Sequence, residues 1–541
     1  MHLDSNSIPP NTVVEADICI VGAGVDGLIL ANELKDTKQR ITILESGDFT
    51  PTDGTQSLNQ GENIGYPYYP LDLARYRSVG GSSLKWNVDL GNKRGVRLRP
   101  MDAIDFERRE SVPYSGWPFP KTALDPYYAR SHPYFGLSDQ NYGGVYWQTA
   151  GEREILPVKS ADLETTVFQF GNADLITAKH QSLLKENQNL QLITNATVYK
   201  IETDPNGETV KQLLVYTKAK EVLKVRAKRY VLAAGGLEVP RLLLCSKRTQ
   251  AHGIGNQNDL VGRFFMEHLH YLSGMWIPSS DQIFSKIGFY EMHRSRGTDL
   301  LAYLKLSAEA LKREGLLNYC VSFWPRVSEE ADSTANIVTS QGYHSIRKIK
   351  SDLQEKRFPQ KLGKRLGHII SDSAHLCAHI LRNRSEKEIQ GAPVAFQLHQ
   401  MSEQSPNPES RVTLSEERDR FGSFTVKLDW KISPIDIRTI RRAHEIINRD
   451  FQKAGLGKLK PGNFNKSPPE GITGGLHHMG TTRMHNNPKE GVVDGNCKVH
   501  GVDNLYIASS AVFPTAGYAN PTLTIAALAI RLSDHLLKRN T

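Results

Sequence analysis

The stretch ADICIVGAGVDGLILANEL, residues 16–34, constrains what this chain can fold into more than any other. Ile18 to Val21 form a short apolar run, which reads as a buried strand of a parallel sheet. Gly22, Gly24 and Gly27 then fit G-x-G-x-x-G and lead into an apolar helix through Leu28, Leu30 and Leu34. Ile41 to Leu44 supply a second strand, and Glu45 ends it. Strand, glycine turn, helix, strand and acid in this order is the frame of a dinucleotide site. Gly22 permits the tight turn, Gly24 lets the backbone approach a pyrophosphate, and Gly27 lets helix and strand pack closely. The helix start offers free N–H groups to phosphate oxygens, and Glu45 can accept hydrogen bonds from a ribose. The frame alone does not separate NAD from FAD.

Later segments read as returns to the same sheet. LQLITNATVYKIET gives a strand pair around Leu192 to Glu202, and KRYVLAAGGLEVPRLLLCS gives strand, turn and helix, with Pro240 and Arg241 near the helix start. NLYIASSAVFP is a further strand, and ANPTLTIAALAIRLSDHLLKR is a long closing helix. The expected fold is therefore mixed α/β: a discontinuous Rossmann-like cofactor domain over 1–101, 190–260 and 469–541. A substrate domain built on a mostly antiparallel sheet would take 102–189 and 261–468. Within the latter, SRVTLS and SFTVKLDW alternate as strands do, and a helix should follow Ser433 and Pro434. Its apolar face would carry Ile437, Ile440, His444, Ile447 and Phe451, with Gly455 at its stop.

A chain of 541 residues is long enough for two such domains, and 23% charged residues with 39% hydrophobic ones is the usage of a soluble globular protein. No apolar stretch reaches the length of a membrane span, and the N-terminal segment has neither a basic region before an apolar one nor a twin arginine. A cytoplasmic location is the expectation. The five cysteines, Cys19, Cys245, Cys320, Cys377 and Cys497, are scattered without metal-ligand spacing. Cys377 and His379 lie close in sequence, but two residues do not make a zinc site, so no metal is expected. Of the net charge of +9, the segment 347–388 holds six, with 11 Lys/Arg against 5 Asp/Glu. It reads as a basic amphipathic helical stretch: a solvated face, or a docking surface for a partner or membrane. It has few aromatics to stack on bases, so nucleic acid is not an expected partner.

Two glycine-rich places carry the chemistry. In YRSVGGSSLKW, Gly80, Gly81, Ser82 and Ser83 make a loop small enough to pass a flat ring and a phosphate, or an ordinary turn. In GGLHHMGTTRM, His477 and His478 offer the side chain best suited to take a proton near neutral pH. Asn520 and Pro521 open the closing helix, with Pro521 at its first position and the N–H groups of Thr522 and Leu523 left free. Asn520 is then either a cap or an amide presented to substrate.

Together these residues make the chain resemble the glucose–methanol–choline (GMC) oxidoreductase family over nearly its whole length. The resemblance rests on GAGVDG with Glu45, on GGSS, on LAAGGLEVPRLLL, and on HHMGTTRM with ANPTLTIAALAIR. VPYSGWPF, VGRFFMEH, SPNPESRVTLS and NLYIASSAVFPTAGYANPTLT look most like bacterial sugar, polyol and glycoside oxidoreductases related to fructose and gluconate dehydrogenase large subunits. It implies FAD as cofactor, with Val198, Ala234, Gly235 and Ser510 joining the residues above at the FAD site and Asn520, Pro521 and Thr522 beside the flavin. It implies hydride transfer from an alcohol carbon to flavin N5, with His477, in the H-x-x-G frame, as base and Asn520 as its partner. The acceptor of the electrons would be oxygen, a quinone or a redox protein. Two departures matter. Lys85 stands where some relatives carry a histidine that bonds FAD, which implies non-covalent FAD, and the cysteine-rich insert of the fructose dehydrogenase type is absent. Non-redox or light-driven chemistry, as in a lyase or decarboxylase, and a flavoprotein acting through docking remain the alternatives.

Overall fold

The computed structural model describes residues 1–538 other than 87, 92, 150–151, 327–342, 344, 347–348, 351–361, 373–392, 463 and 465. The run at Ile18 forms a strand over Val13–Val21, with Ile41–Leu44 on one side and Val222–Leu232 on the other, all parallel. Ile18, Cys19 and Ile20 are fully shielded, as an apolar run in mid-sheet must be. Ile41–Leu44 pairs onward with Leu190–Thr194, and that strand with His2–Asp4 at the edge. Val222–Leu232 is long enough to serve two partners on its far side. Its first part pairs antiparallel with Val210–Tyr216, and its end pairs parallel with Leu505–Ile507. A strand from the end of the chain thus enters the sheet beside one from the middle. The expected strand pair appears as Leu190–Thr194 and Thr197–Thr203.

The second sheet has ten strands, and its neighbouring pairs are antiparallel. Along its main path the order is Gly457–Pro461, His268–Pro278, Ala395–Glu403, Tyr319–Arg326, Thr298–Leu306, Leu163–Asn172, Arg94–Leu98 and Val88–Asp89. The helix Pro434–Lys453 packs on it, begun by a capping box of Ser433 and Asp436 and burying Ile437, Ile440, His444, Ile447 and Phe451. Gly455, at φ +67°, follows its end.

Several details differ from the sequence reading. Val88–Asp89 and Arg94–Leu98 lie inside the first expected cofactor segment, yet they are strands of the ten-stranded sheet. Arg411–Arg418 and Phe424–Asp429, the two alternating runs, pair with each other and with Gly61–Asn63 in a small separate sheet. Alternation marks a strand but carries no address for its partner. Pro240 is the sixth residue of the helix Gly235–Cys245, not near its first turn, and the closing helix runs Thr522–Lys538 with Pro521 just outside it. Cys19, Cys320 and Cys497 are buried, Cys245 is half-buried, and all four are unpaired. Cys377 and His379 lie outside the described residues, as does most of the basic segment 347–388, of which the helix Leu362–Ser371 is described. Among the described residues no helix is long and apolar enough to cross a membrane, and no group of three or more His, Cys, Asp or Glu could hold a metal ion.

Candidate active site

A cavity of about 660 Å³ runs from the first glycine turn to the start of the closing helix. Gly22, Gly24 and Glu45 line one end, with Val198, Ala234 and Gly235 beside them. Gly80, Gly81, Ser82 and Ser83 line its flank, and His477, His478, Ser510, Asn520, Pro521 and Thr522 line the other end. Gly27 is the exception among the expected cofactor residues. It faces the turn instead, where a Cβ would lie 2.1 Å from the Gly22 carbonyl oxygen. Gly22 itself has φ +109°, and a Cβ there would meet the Ala233 carbonyl oxygen at 2.3 Å. The Glu45 carboxylate accepts from the N–H groups of Ala23 (2.9 Å) and Gly47 (2.8 Å), one on each oxygen, which pins the turn to the second strand. Each oxygen keeps a further lone pair for a ligand hydroxyl.

At the other end the donors and acceptors come from side chains. Asn520 Nδ2 lies 3.1 Å from His477 Nε2, and Asn520 Oδ1 accepts from Arg97 Nε at 3.1 Å. The amide is therefore spent inside the site and not on capping the closing helix. Arg97 comes from the ten-stranded sheet; its remaining donors reach Tyr303 Oη (2.5 Å) and Met401 Sδ (3.2 Å), neither of them charged. Behind His477, its Nδ1 lies 2.9 Å from His268 Nδ1. Burial pushes His477 well below histidine's usual value, with His268 and Arg97 adding in the same direction, and it lowers His268 to about 4. Both rings are neutral at physiological pH. His478 turns the other way, with Nε2 2.9 Å from the Tyr68 hydroxyl, and burial lowers it to about 3.

The loop carrying His477 is held by one carboxylate. Glu267 accepts from the N–H groups of Gly475 (3.0 Å), His477 (2.9 Å) and His268 (3.2 Å), and from the Tyr68 hydroxyl. This grip accompanies Leu476 at φ +61°, a left-handed backbone that costs a leucine about 1–3 kcal/mol. Gly475 has no room for a side chain: a Cβ would lie 2.6 Å from His477 Nδ1 and 2.8 Å from His270 Nε2. Burial raises Glu267 to about 7 against the pull of its four donors. A second histidine pair, His270 Nδ1 to His399 Nε2 at 3.2 Å, stands beside His477, and the other ring nitrogen of each is buried without a hydrogen-bond partner. Trp324, 44% exposed, stacks on His399 with ring centroids 4.5 Å apart.

Arg97, Glu267, His268, His270 and His399 were not singled out from the sequence. Glu267 and His268 end VGRFFMEH, so adjacent acid and histidine at the start of a strand was a usable signal. Arg97, His270 and His399 carried none, because each becomes significant only through sheet pairing.

Known proteins bear on this geometry directly. A sequence model described as FAD dependent oxidoreductase matches residues 17–253, and one described as GMC oxidoreductase matches residues 406–529. The first takes in the glycine turn and Glu45, and the second takes in His477 and Asn520. The chain thus carries an FAD-dependent oxidoreductase segment and a GMC oxidoreductase C-terminal segment. The 2-methyl-1,2-propanediol dehydrogenase of Mycolicibacterium austroafricanum is 23% identical to this chain, covering 97% of this chain and 96% of that one. The fructose dehydrogenase large subunit of Gluconobacter japonicus is 25% identical over 66% of this chain and 56% of its own length. The fold is shared with pyridoxine 4-oxidase from Mesorbium loti, at a TM-score of 0.53 and 18% identity, covering 96% of this chain and 99% of that one.

Proposed function

We propose that this chain is a GMC oxidoreductase that oxidises a CH–OH group of a sugar, polyol or glycoside, with His477 taking the hydroxyl proton and Asn520 holding the oxygen. The observation that carries this is the 3.1 Å pair of Asn520 Nδ2 and His477 Nε2 in the cavity wall. Arg97 can only donate, so it faces Asn520 Oδ1, and the Asn520 N–H groups face His477. A hydroxyl entering between them donates to Nε2 while its oxygen accepts from the amide. The neutral state of His477 leaves that nitrogen able to accept, and Arg97 behind the amide steadies negative charge growing on the oxygen. When bound, FAD supplies the two-electron acceptor for the hydride. The residues that would hold it are Gly22, Gly24 and Glu45 at the dinucleotide end, Gly80 to Ser83, Val198, Ala234, Gly235 and Ser510 along the cavity, and Asn520 to Thr522 at the reacting end. The fit rests on the Gly22 turn, which no side chain could occupy, and on Gly235, which at φ +78° has open space where a side chain would stand. The expected domain division goes with this reading: cofactor on the parallel sheet, substrate under the antiparallel one.

The polyhydroxylated class is supported by unsatisfied polar atoms close to the base: His270 Nε2 and His399 Nδ1 are buried beside His477 without a partner. The two relatives are named for fructose and for a propanediol, which points the same way. Non-covalent FAD is supported by Lys85, whose ammonium is engaged with the Leu73 carbonyl and sits 4.3 Å over the Tyr76 ring. The four described, unpaired cysteines favour a reducing, cytoplasmic setting. The test is anaerobic mixing with a panel of sugars, polyols and glycosides, followed by loss of the oxidised flavin absorbance. A panel with no member that bleaches the flavin sinks the proposal. Flavin left on the chain in a denaturing gel sinks the non-covalent reading alone.

A further inference from the structure

His268 begins the strand His268–Pro278 and is fully shielded from solvent. Its ring stands edge-on to that of His477, centroids 4.9 Å apart. Its Nδ1 is 2.9 Å from His477 Nδ1, and its Nε2 is 3.1 Å from the Ala516 carbonyl oxygen. Two ring nitrogens at that distance share one hydrogen, and the ends of the chain decide which of them carries it. The Ala516 carbonyl can only accept, so His268 bears its hydrogen on Nε2 and presents a bare Nδ1. His477 must then donate from its own Nδ1, which leaves its Nε2 with a lone pair. From the far end, Arg97 fixes the Asn520 amide so that it donates to that same Nε2. Two independent termini give one tautomer. A hydrogen on His477 Nε2 would face the Asn520 N–H groups donor to donor, and two bare Nδ1 atoms would face each other.

We propose that His268 is a positioning residue that keeps the hydrogen of His477 on Nδ1 and so holds Nε2 free to take the substrate proton. Free imidazole in a peptide prefers its hydrogen on Nε2, so this contact acts against an intrinsic preference. It is a lock and not a proton wire, because the chain ends at a carbonyl that cannot accept a proton onward. When His477 takes the substrate proton on Nε2, its Nδ1–H already has an acceptor, and the new positive charge stays on the histidine pair. The inference rests on His477 as the base.

The test has two arms. In protein labelled with ¹⁵N-histidine, with the His477 signals found by their loss in H477N, Nδ1 should show the shift of a hydrogen-bearing nitrogen and Nε2 that of a bare one. H268Q, whose amide can accept from His477 and donate to Ala516, should keep this pattern; in H268L, with only the Asn520 end left to hold it, a detectable share of the hydrogen should move to Nε2. A hydrogen on Nε2 in the unaltered protein overturns the proposal, whatever the flavin does. In anaerobic single-turnover reduction at saturating substrate, H268L should be slower by about 10- to 100-fold, at or below the lower end of what a positioned general base contributes. Its half-saturating substrate concentration should change little, and H268Q should recover most of the rate. H268L at the wild-type rate, or H268Q as slow as H268L, overturns the proposal. Should H268L fail to load FAD, the labelling pattern and the rate of H268Q decide. Normal flavin reduction by H477A would sink the base assignment itself, whereas a slow H477A beside a fast H268L would sink only the role of His268.

Discussion

The two ends of the cavity are built on different principles. At the dinucleotide end the wall is largely backbone from contiguous chain: a glycine turn, a helix start and one carboxylate bonded to two N–H groups. At the reacting end the wall is side chains from distant stretches, Arg97, His477 and Asn520, joined with His268 behind His477 in one hydrogen-bonded line. The first end works by leaving room, so it is sensitive to added atoms. The second works by the placement of single hydrogens, so it is sensitive to removed ones.

The largest effect should come from adding one methyl at the first end. In G22A the new Cβ would need to occupy space 2.3 Å from the Ala233 carbonyl, on a backbone at φ +109°. Most bound FAD should be lost, read as the ratio of flavin to protein absorbance; normal flavin content would show the turn to be less exacting than its geometry. At the second end, H477A should keep FAD and slow anaerobic flavin reduction by about two to four orders of magnitude, the scale of a lost general base. N520A comes next. It should cost about 10²- to 10³-fold in the same measurement, the scale of removing one donor to a developing oxyanion. Its melting temperature should fall little, because the amide bonds His477 and Arg97 and not the helix. A variant that melts early but reduces flavin normally would return Asn520 to a capping role.

Glu267 gives a smaller effect that depends on pH. Its value is raised to about 7, so the carboxylate is charged above that pH and takes a proton below it. The neutral acid accepts less strongly from Gly475 and His477, so the loop should loosen and the reduction rate should fall by severalfold as pH drops through about 7. No separate limb should appear near histidine's usual value, since His477 is held well below it. E267Q should show the low-pH rate at every pH; a profile unchanged from the parent would mean that the carboxylate does not govern the loop. The smallest effect belongs to H478A. Its ring bonds Tyr68 and not Asn520, so the rate should change far less than in H477A. The reverse ranking would move the base by one residue.

The same contrast separates what the sequence determined from what the fold decided. The dinucleotide turn was legible because its needs are local: positions 22, 24 and 27 are a few bonds apart, and Glu45 follows the next strand. His477 and Asn520 were legible as a pair only through the family resemblance, since 43 positions separate them. What joins them is the entry of Leu505–Ile507 into the parallel sheet, after which the closing helix starts beside the GGLHH loop. Arg97, His268, His270 and His399 were beyond the sequence for a physical reason. Strand alternation tells which side chains share a face but not which strand lies next to which, and their roles depend on neighbours supplied by the ten-stranded sheet. Composition likewise could not show that Val88–Asp89 and Arg94–Leu98 leave the cofactor region for that sheet, carrying Arg97 to Asn520. Sequence set the places where atoms must be absent. Only the tertiary structure decided where the hydrogens of the active site must be.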